Sequence, residues 1–177
     1  MNPVMDQFVE MPNVLSQRVA ICSGQFSHPT TPLHFQRTAD FFMRKNVGAI
    51  LNVSCDVIAT QQHLTWFGAL GIDYYQVPIP DTEQESVRPD FADAVLKVWN
   101  NVEPTGKMLL VNCTMGINRS ALAAAFVLWT TRWYPTPEFL IDEMRRNQCS
   151  QRGSQVLLVN SVFRQYFFAW VEQNERP

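Results

Sequence analysis

The sequence has little charge and almost no lysine. Charged residues make up 17 % of its 177 positions, and three lysines stand against eleven arginines. With a net charge of −2 there is no basic field of the kind a nucleic-acid partner needs. So little charge beside 46 % hydrophobic residues excludes an extended, disordered chain. The four cysteines, Cys22, Cys55, Cys113 and Cys149, are irregularly spaced and include no C-x2-C pair. Reduced thiols are therefore expected, and a disulfide framework is not. His28, His34 and His63 share no ligand spacing, so no metal and no cofactor are expected. The longest apolar run, Ala121 to Trp129, is too short to span a bilayer, and no membrane partner is expected. No basic-then-apolar leader opens the sequence, which makes a cytoplasmic placement, or a nuclear one, the expectation.

What is present is enough for one folded domain with a proper core. The expected division is an N-terminal arm, 1–12, and a single domain over 13–177. The arm carries Met1, Met5, Phe8 and Val9 on one helical face before Pro12, and at a terminus fraying is the expected behaviour. Whether it mediates oligomerisation the sequence leaves open. Beyond it, strands and helices alternate. Strands are predicted over 18–22, 47–54, 72–79 and 107–112, from short apolar, β-branched runs. Helices are predicted over 33–45, 61–70, from about 89 to 102, 119–134, 137 to about 147, and 155–172. Pro89 and Pro137 suit first helical turns, and Thr136 suits a cap. Such alternation predicts an α/β fold, a central and mostly parallel sheet flanked by helices. Ligands on such sheets bind beyond the carboxyl ends of the strands.

One of those ends is distinctive. The 107–112 strand runs into Cys113, then Thr114-Met115-Gly116-Ile117-Asn118, then Arg119 and Ser120 at the start of a long apolar helix. C-x5-R by itself recurs by chance in a chain with four cysteines and eleven arginines. Glycine at the fourth position, serine after the arginine, and a strand and helix on either side make chance a poor account. Backbone N–H groups from Thr114 to Arg119 can curl round one tetrahedral oxyanion at the positive end of the helix. Gly116 frees the tight curl, and Arg119 offers a planar fork for two phosphate oxygens. The same positive field favours the Cys113 thiolate, a nucleophile for phosphoryl transfer. Ser120 stands where its hydroxyl can donate to that thiolate as it leaves.

A leaving alkoxide or phenoxide also needs a proton. Asp81, thirty-two residues before Cys113 and directly after the 72–79 strand, is the candidate acid. The ordinary alternative is a turn residue in Pro80-Asp81. Glu83 and Glu85 in the same loop read as solvated charge.

VNCTMGINRS resembles the signature of cysteine-dependent protein tyrosine phosphatases, and the chain's small size resembles their dual-specificity branch, both its compact poxviral and its small cellular members. RVAICSG is similar to that family's first strand, GAILNVS to its second, and VPIPDTEQESV to its acid-bearing segment. RGSQVLLVNSVFRQY is similar to the part that packs behind the loop, which marks Asn160, Phe163 and Arg152. The resemblance implies a dual-specificity phosphatase-like fold, a phosphorylated protein as substrate, and hydrolysis through a cysteinyl-phosphate intermediate. Phosphotyrosine and phosphoserine or phosphothreonine would all be admitted, since the long tyrosine-recognition segment of classical members has no counterpart. Where the family has His before the nucleophile this chain has Asn112, which predicts slower turnover. Val159 replaces the usual Pro before Asn160. The uncharged rim residues Thr114, Met115, Ile117 and Asn118 argue against inositol-lipid substrates. Two alternatives remain: an RNA 5′-triphosphatase, because C-T-x-G-x-N-R also resembles mRNA-capping enzymes, and a phosphate-binding pseudophosphatase with little activity, because of Asn112. Arg145 and Arg146 are weighed as receivers of a second phosphate, against a solvated helix end. Cys22 and Cys149 are weighed as disulfide partners of an oxidised Cys113.

Overall fold

The computed structural model describes residues 12–81, 87–153 and 157–174. The arm, all but Pro12, and Glu83 and Glu85 lie outside them. Five strands, β1 (Asn13–Val14), β2 (Val19–Ser23), β3 (Val47–Ser54), β4 (Asp73–Ile79) and β5 (Met108–Cys113), form one sheet in the order β1-β2-β5-β3-β4. Every pairing is parallel except that of the two-residue edge strand β1 with β2. Parallel strands need covered crossovers, and β3 and β5 are buried along their whole length on both faces. Strand β5 lies at the centre. Its last residue, Cys113, pairs with Ser23, while Asn112 pairs with Cys22 on one side and Asn52 on the other.

Side chains on β5 alternate between two cores. Leu109, Val111 and Cys113 belong to one, shared with α4 (Phe91–Val102), α5 (Arg119–Thr131), α6 (Pro137–Arg152) and α7 (Ser161–Gln173). Met108 and Leu110 belong to the other, with residues from α1 (Gly24–Ser27), α2 (Pro32–Lys45) and α3 (Gln61–Ala69). Helix α5 is buried from Arg119 to Trp129, which explains a sequence that is apolar on every face.

Three helix boundaries depart from expectation. Helix α5 stops at Thr131, because Pro135 disfavours helical backbone at Tyr134 and Arg132 is already extended. Helix α6 runs on to Arg152 and ends where Gly153 takes a left-handed conformation, φ +69°. The last helix starts at Ser161, not at 155. Leu158 has φ +49°, which no helix tolerates, and the Asn160 side chain caps the new start by accepting from the N–H groups of Val162 and Phe163.

Candidate active site

The loop between β5 and α5 is built round Cys113. The N–H of Gly116 donates to Cys113 Sγ at 3.2 Å, and Ser120 Oγ lies 3.4 Å from it. Gly116 has φ +71°, and a Cβ there would stand 2.6 Å from the carbonyl carbon of Cys22. The loop is thus pressed against the neighbouring strand end too closely for any side chain. The N–H of Gly24 donates to the Thr114 carbonyl, fastening the loop to α1 as well. Asn118 precedes α5 but does not cap it. Its Oδ1 accepts instead from the N–H groups of Val159 and Asn160, at 2.9 and 3.3 Å. The first amides of α5 are left without a side-chain acceptor, as an anion site needs.

Arg119, the first residue of α5, has a side chain only 3 % exposed. Its Nη1 donates to the Ile79 carbonyl at the end of β4, and its Nη2 to Thr114 Oγ1 at 2.6 Å. Nε finds no hydrogen-bond partner among the described residues and faces Asp81 Oδ2 at 3.7 Å, so the structure brings Asp81 to the edge of the same guanidinium. A residue the sequence reading missed completes the group. Asp56 Oδ2 accepts from Arg119 Nη2 at 3.1 Å and from the Thr114 hydroxyl at 3.1 Å. Arg119's hydrogen bond, with Thr114's behind it, holds the Asp56 carboxyl below its ordinary range. The signal was available: Asp56 lies two residues past β3, at the carboxyl edge of the sheet where ligands gather.

Behind the loop the segment 157–160 acts as a brace. The N–H of Leu158 donates to the Ile117 carbonyl, and Arg145 donates from Nε to the Leu157 carbonyl at 3.0 Å and from Nη2 to the Leu158 carbonyl. Arg145 is therefore committed to backbone. The guanidinium of Arg146 lies over the Phe139 ring, 5.6 Å from its centroid. Phe163 is buried in the α5 core, whereas the side chain of Arg152 falls outside the described residues. Asn112 points to the sheet's other face. Its Nδ2 donates to Asn52 Oδ1 at 3.0 Å, and its buried Oδ1 has no partner among the described residues. Cys22 also belongs to that far core and Cys113 to the near one, so strand alternation separates those two thiols.

A groove of about 580 Å³ is lined by Trp129, Trp133, Tyr134 and Phe168 at the far end of α5. It lies a helix length from Arg119. Among the described residues no group of His, Cys, Asp and Glu is arranged to hold a metal, and no helix is long and apolar enough to cross a membrane.

A buried cysteine and a buried arginine thus bracket one loop between the central parallel strand β5 and helix α5. Residues 34–160 match the dual specificity phosphatase catalytic domain, and the chain belongs to that family. Solved structures share its fold. Human DUSP28 is 18 % identical, with a TM-score of 0.68 over 92 % of this chain and 96 % of that one. Kinase associated phosphatase is 16 % identical, with a TM-score of 0.66 over 95 % and 97 %. OH1 from the Orf virus, a tyrosine phosphatase with triple substrate specificity, is 17 % identical, with a TM-score of 0.57 over 92 % and 87 %. No curated protein sequence matches the chain.

Proposed function

We propose that this phosphatase domain hydrolyses phosphotyrosine and phosphoserine or phosphothreonine in proteins through a phosphate ester of Cys113. One observation carries the reading. Cys113 Sγ, with Gly116 N–H at 3.2 Å and Ser120 Oγ at 3.4 Å, lies at the floor of a loop whose Arg119 is buried and whose α5 amides carry no cap. In the first step the thiolate attacks phosphorus, a sulfur–phosphorus bond forms and the ester phosphorus–oxygen bond breaks. The departing oxygen takes a proton from Asp81. In the second step water attacks the phosphocysteine, Asp81 takes back a proton from that water, and the thiolate leaves while accepting a hydrogen bond from Ser120. Loop amides from Thr114 to Asn118 and the Arg119 fork hold the phosphate oxygens in both steps. Asn112 and Asn160 support from behind, one along the sheet and one through α7.

The test is phosphate release from a small aryl phosphate, a doubly phosphorylated kinase-loop peptide and a 5′-triphosphate RNA, with wild type and Cys113→Ser. Release from the first two that vanishes in the variant is expected. Release from none of them ends the enzymatic reading in favour of a phosphate-binding pseudophosphatase, and release from the RNA alone makes the chain a triphosphatase.

A further inference from the structure

The side-on edge of a guanidinium offers two parallel donors, here Nε and Nη2 of Arg119, and that edge fits two oxygens of one phosphate. Both donors face acids. Nη2 donates to Asp56 Oδ2 at 3.1 Å, and Nε stands 3.7 Å from Asp81 Oδ2. Building on the phosphatase reading, we infer that Asp56 is a specificity-determining residue of the phosphate pocket: its carboxylate competes with the incoming phosphate for Arg119, and its charge at the rim penalises esters that carry further phosphates.

The two partners differ in freedom. Arg119 is 3 % exposed and held by Ile79 and Thr114, whereas the Asp56 side chain is 66 % exposed. When phosphate arrives, Asp56 is the group that can turn away, because its oxygens recover hydration in water. An ion pair with so exposed a partner is weak, so a dianion that also gains the loop amides displaces it. The competition therefore sets a threshold and does not close the site. Asp56 is not the proton donor, since its bonds to Arg119 and Thr114 favour the ionised form, which has no proton to give. Nor is it the strut of the loop. Thr114 Oγ1 is also within 3.0 Å of Ser54 Oγ, and the Thr114 carbonyl accepts from Gly24 N–H. A second phosphate on the same substrate would meet the Asp56 charge close to the pocket mouth, where like charges repel. A single phosphotyrosine would meet it least.

The experiment reads anion binding without turnover. Alkylation of Cys113 by iodoacetamide, which is uncharged, is measured against rising inorganic phosphate and, separately, tripolyphosphate, in wild type, Asp56→Asn and Asp56→Ala. The half-protecting phosphate concentration is expected to fall about three- to fivefold in both variants, the scale of an exposed ion pair, and that of tripolyphosphate to fall further. In parallel, KM for an aryl phosphate should fall by a similar factor, while the ratio of kcat between good and poor leaving groups stays at the wild-type value. Protection that is unchanged or weaker in Asp56→Asn, a loss of protection in Asp56→Ala alone, or no protection of any form overturns the inference. A wild type that never releases phosphate, with protection shifting as stated, removes the phosphatase reading and leaves the competition standing.

Discussion

Gly116 occupies a position with no room for a side chain. Its φ of +71° is in the left-handed region, and an added Cβ would meet backbone atoms of Cys22 and Ser23, which cannot give way as a side-chain tip can. Gly116→Ala is expected to lower stability by about 1–3 kcal/mol, read from the urea midpoint, and to abolish turnover in the fraction that folds. A fully active alanine variant would mean that the loop is less tightly set against β2 than the structure has it. Asp81, 36 % exposed at the edge of Arg119, is predicted to matter in proportion to the leaving group. Asp81→Asn should cost about a hundredfold in kcat with an alkyl phosphate, the lower range for a general acid, and far less with a nitrophenyl ester. Equal losses on the two substrates would take the acid role from it. Asn112, next to Cys113, carries a buried Oδ1 with no partner among the described residues, a cost the fold bears.

At the scale of elements, the loop is shaped from behind by α7. Asn118 Oδ1 receives the N–H groups of Val159 and Asn160, and Asn160 Oδ1 in turn caps α7. Removing either amide should cost about 1 kcal/mol of stability. Their effects on activity should differ. Asn118→Ala loosens the loop itself and should lower kcat with little change in stability beyond that figure. Asn160→Ala weakens the helix start and leaves the loop's own bonds in place. Urea titrations and steady-state kinetics on the two variants separate these; a wild-type kcat in Asn118→Ala would mean that the brace does not reach the chemistry. Leu158 shows why the last helix starts later than its periodicity suggests. Its left-handed backbone turns its N–H onto the Ile117 carbonyl, and no helical pattern announces such a contact.

Across the whole molecule, a polar path crosses the far core. Asn112 donates to Asn52, Asn52 Nδ2 donates to Tyr74 Oη at 3.0 Å, and His28 Nε2 lies 3.3 Å from that hydroxyl. His28 is buried, and burial, with His63 beside it, pushes its pKa down to about 4. Its ring contacts those of His63, Phe67 and Tyr74 at 5.3–5.7 Å between centroids. Below the ordinary histidine value the unfolded chain binds a proton that the folded chain refuses. Stability is therefore full above about pH 6.5 and is lost as pH falls towards 4, by up to about 3 kcal/mol. Urea midpoints measured between pH 4 and 7 should fall on acidification, with a shallower slope in His28→Gln. The same slope in the variant would assign the acid sensitivity to other groups.

The sequence by itself determined most of the strands and helices, the α/β class, and the loop from Cys113 to Ser120. Those features are written in neighbouring residues: period-two and helical spacing, proline and threonine at helix starts, and one C-x5-R-S loop between a strand and a helix. Tertiary structure decided what approaches that loop from elsewhere. Asp56 arrives from β3, Asp81 from β4, and Leu158 and Asn160 from a segment some forty residues later. Asp81 could be singled out because it follows a strand directly and resembles a family position; Asp56 offered only its place just past β3, and Leu158 no local pattern at all. Parallel pairing of β3, β5 and β4 sets their carboxyl ends side by side. That adjacency is a property of long-range register, which no stretch of neighbouring residues encodes.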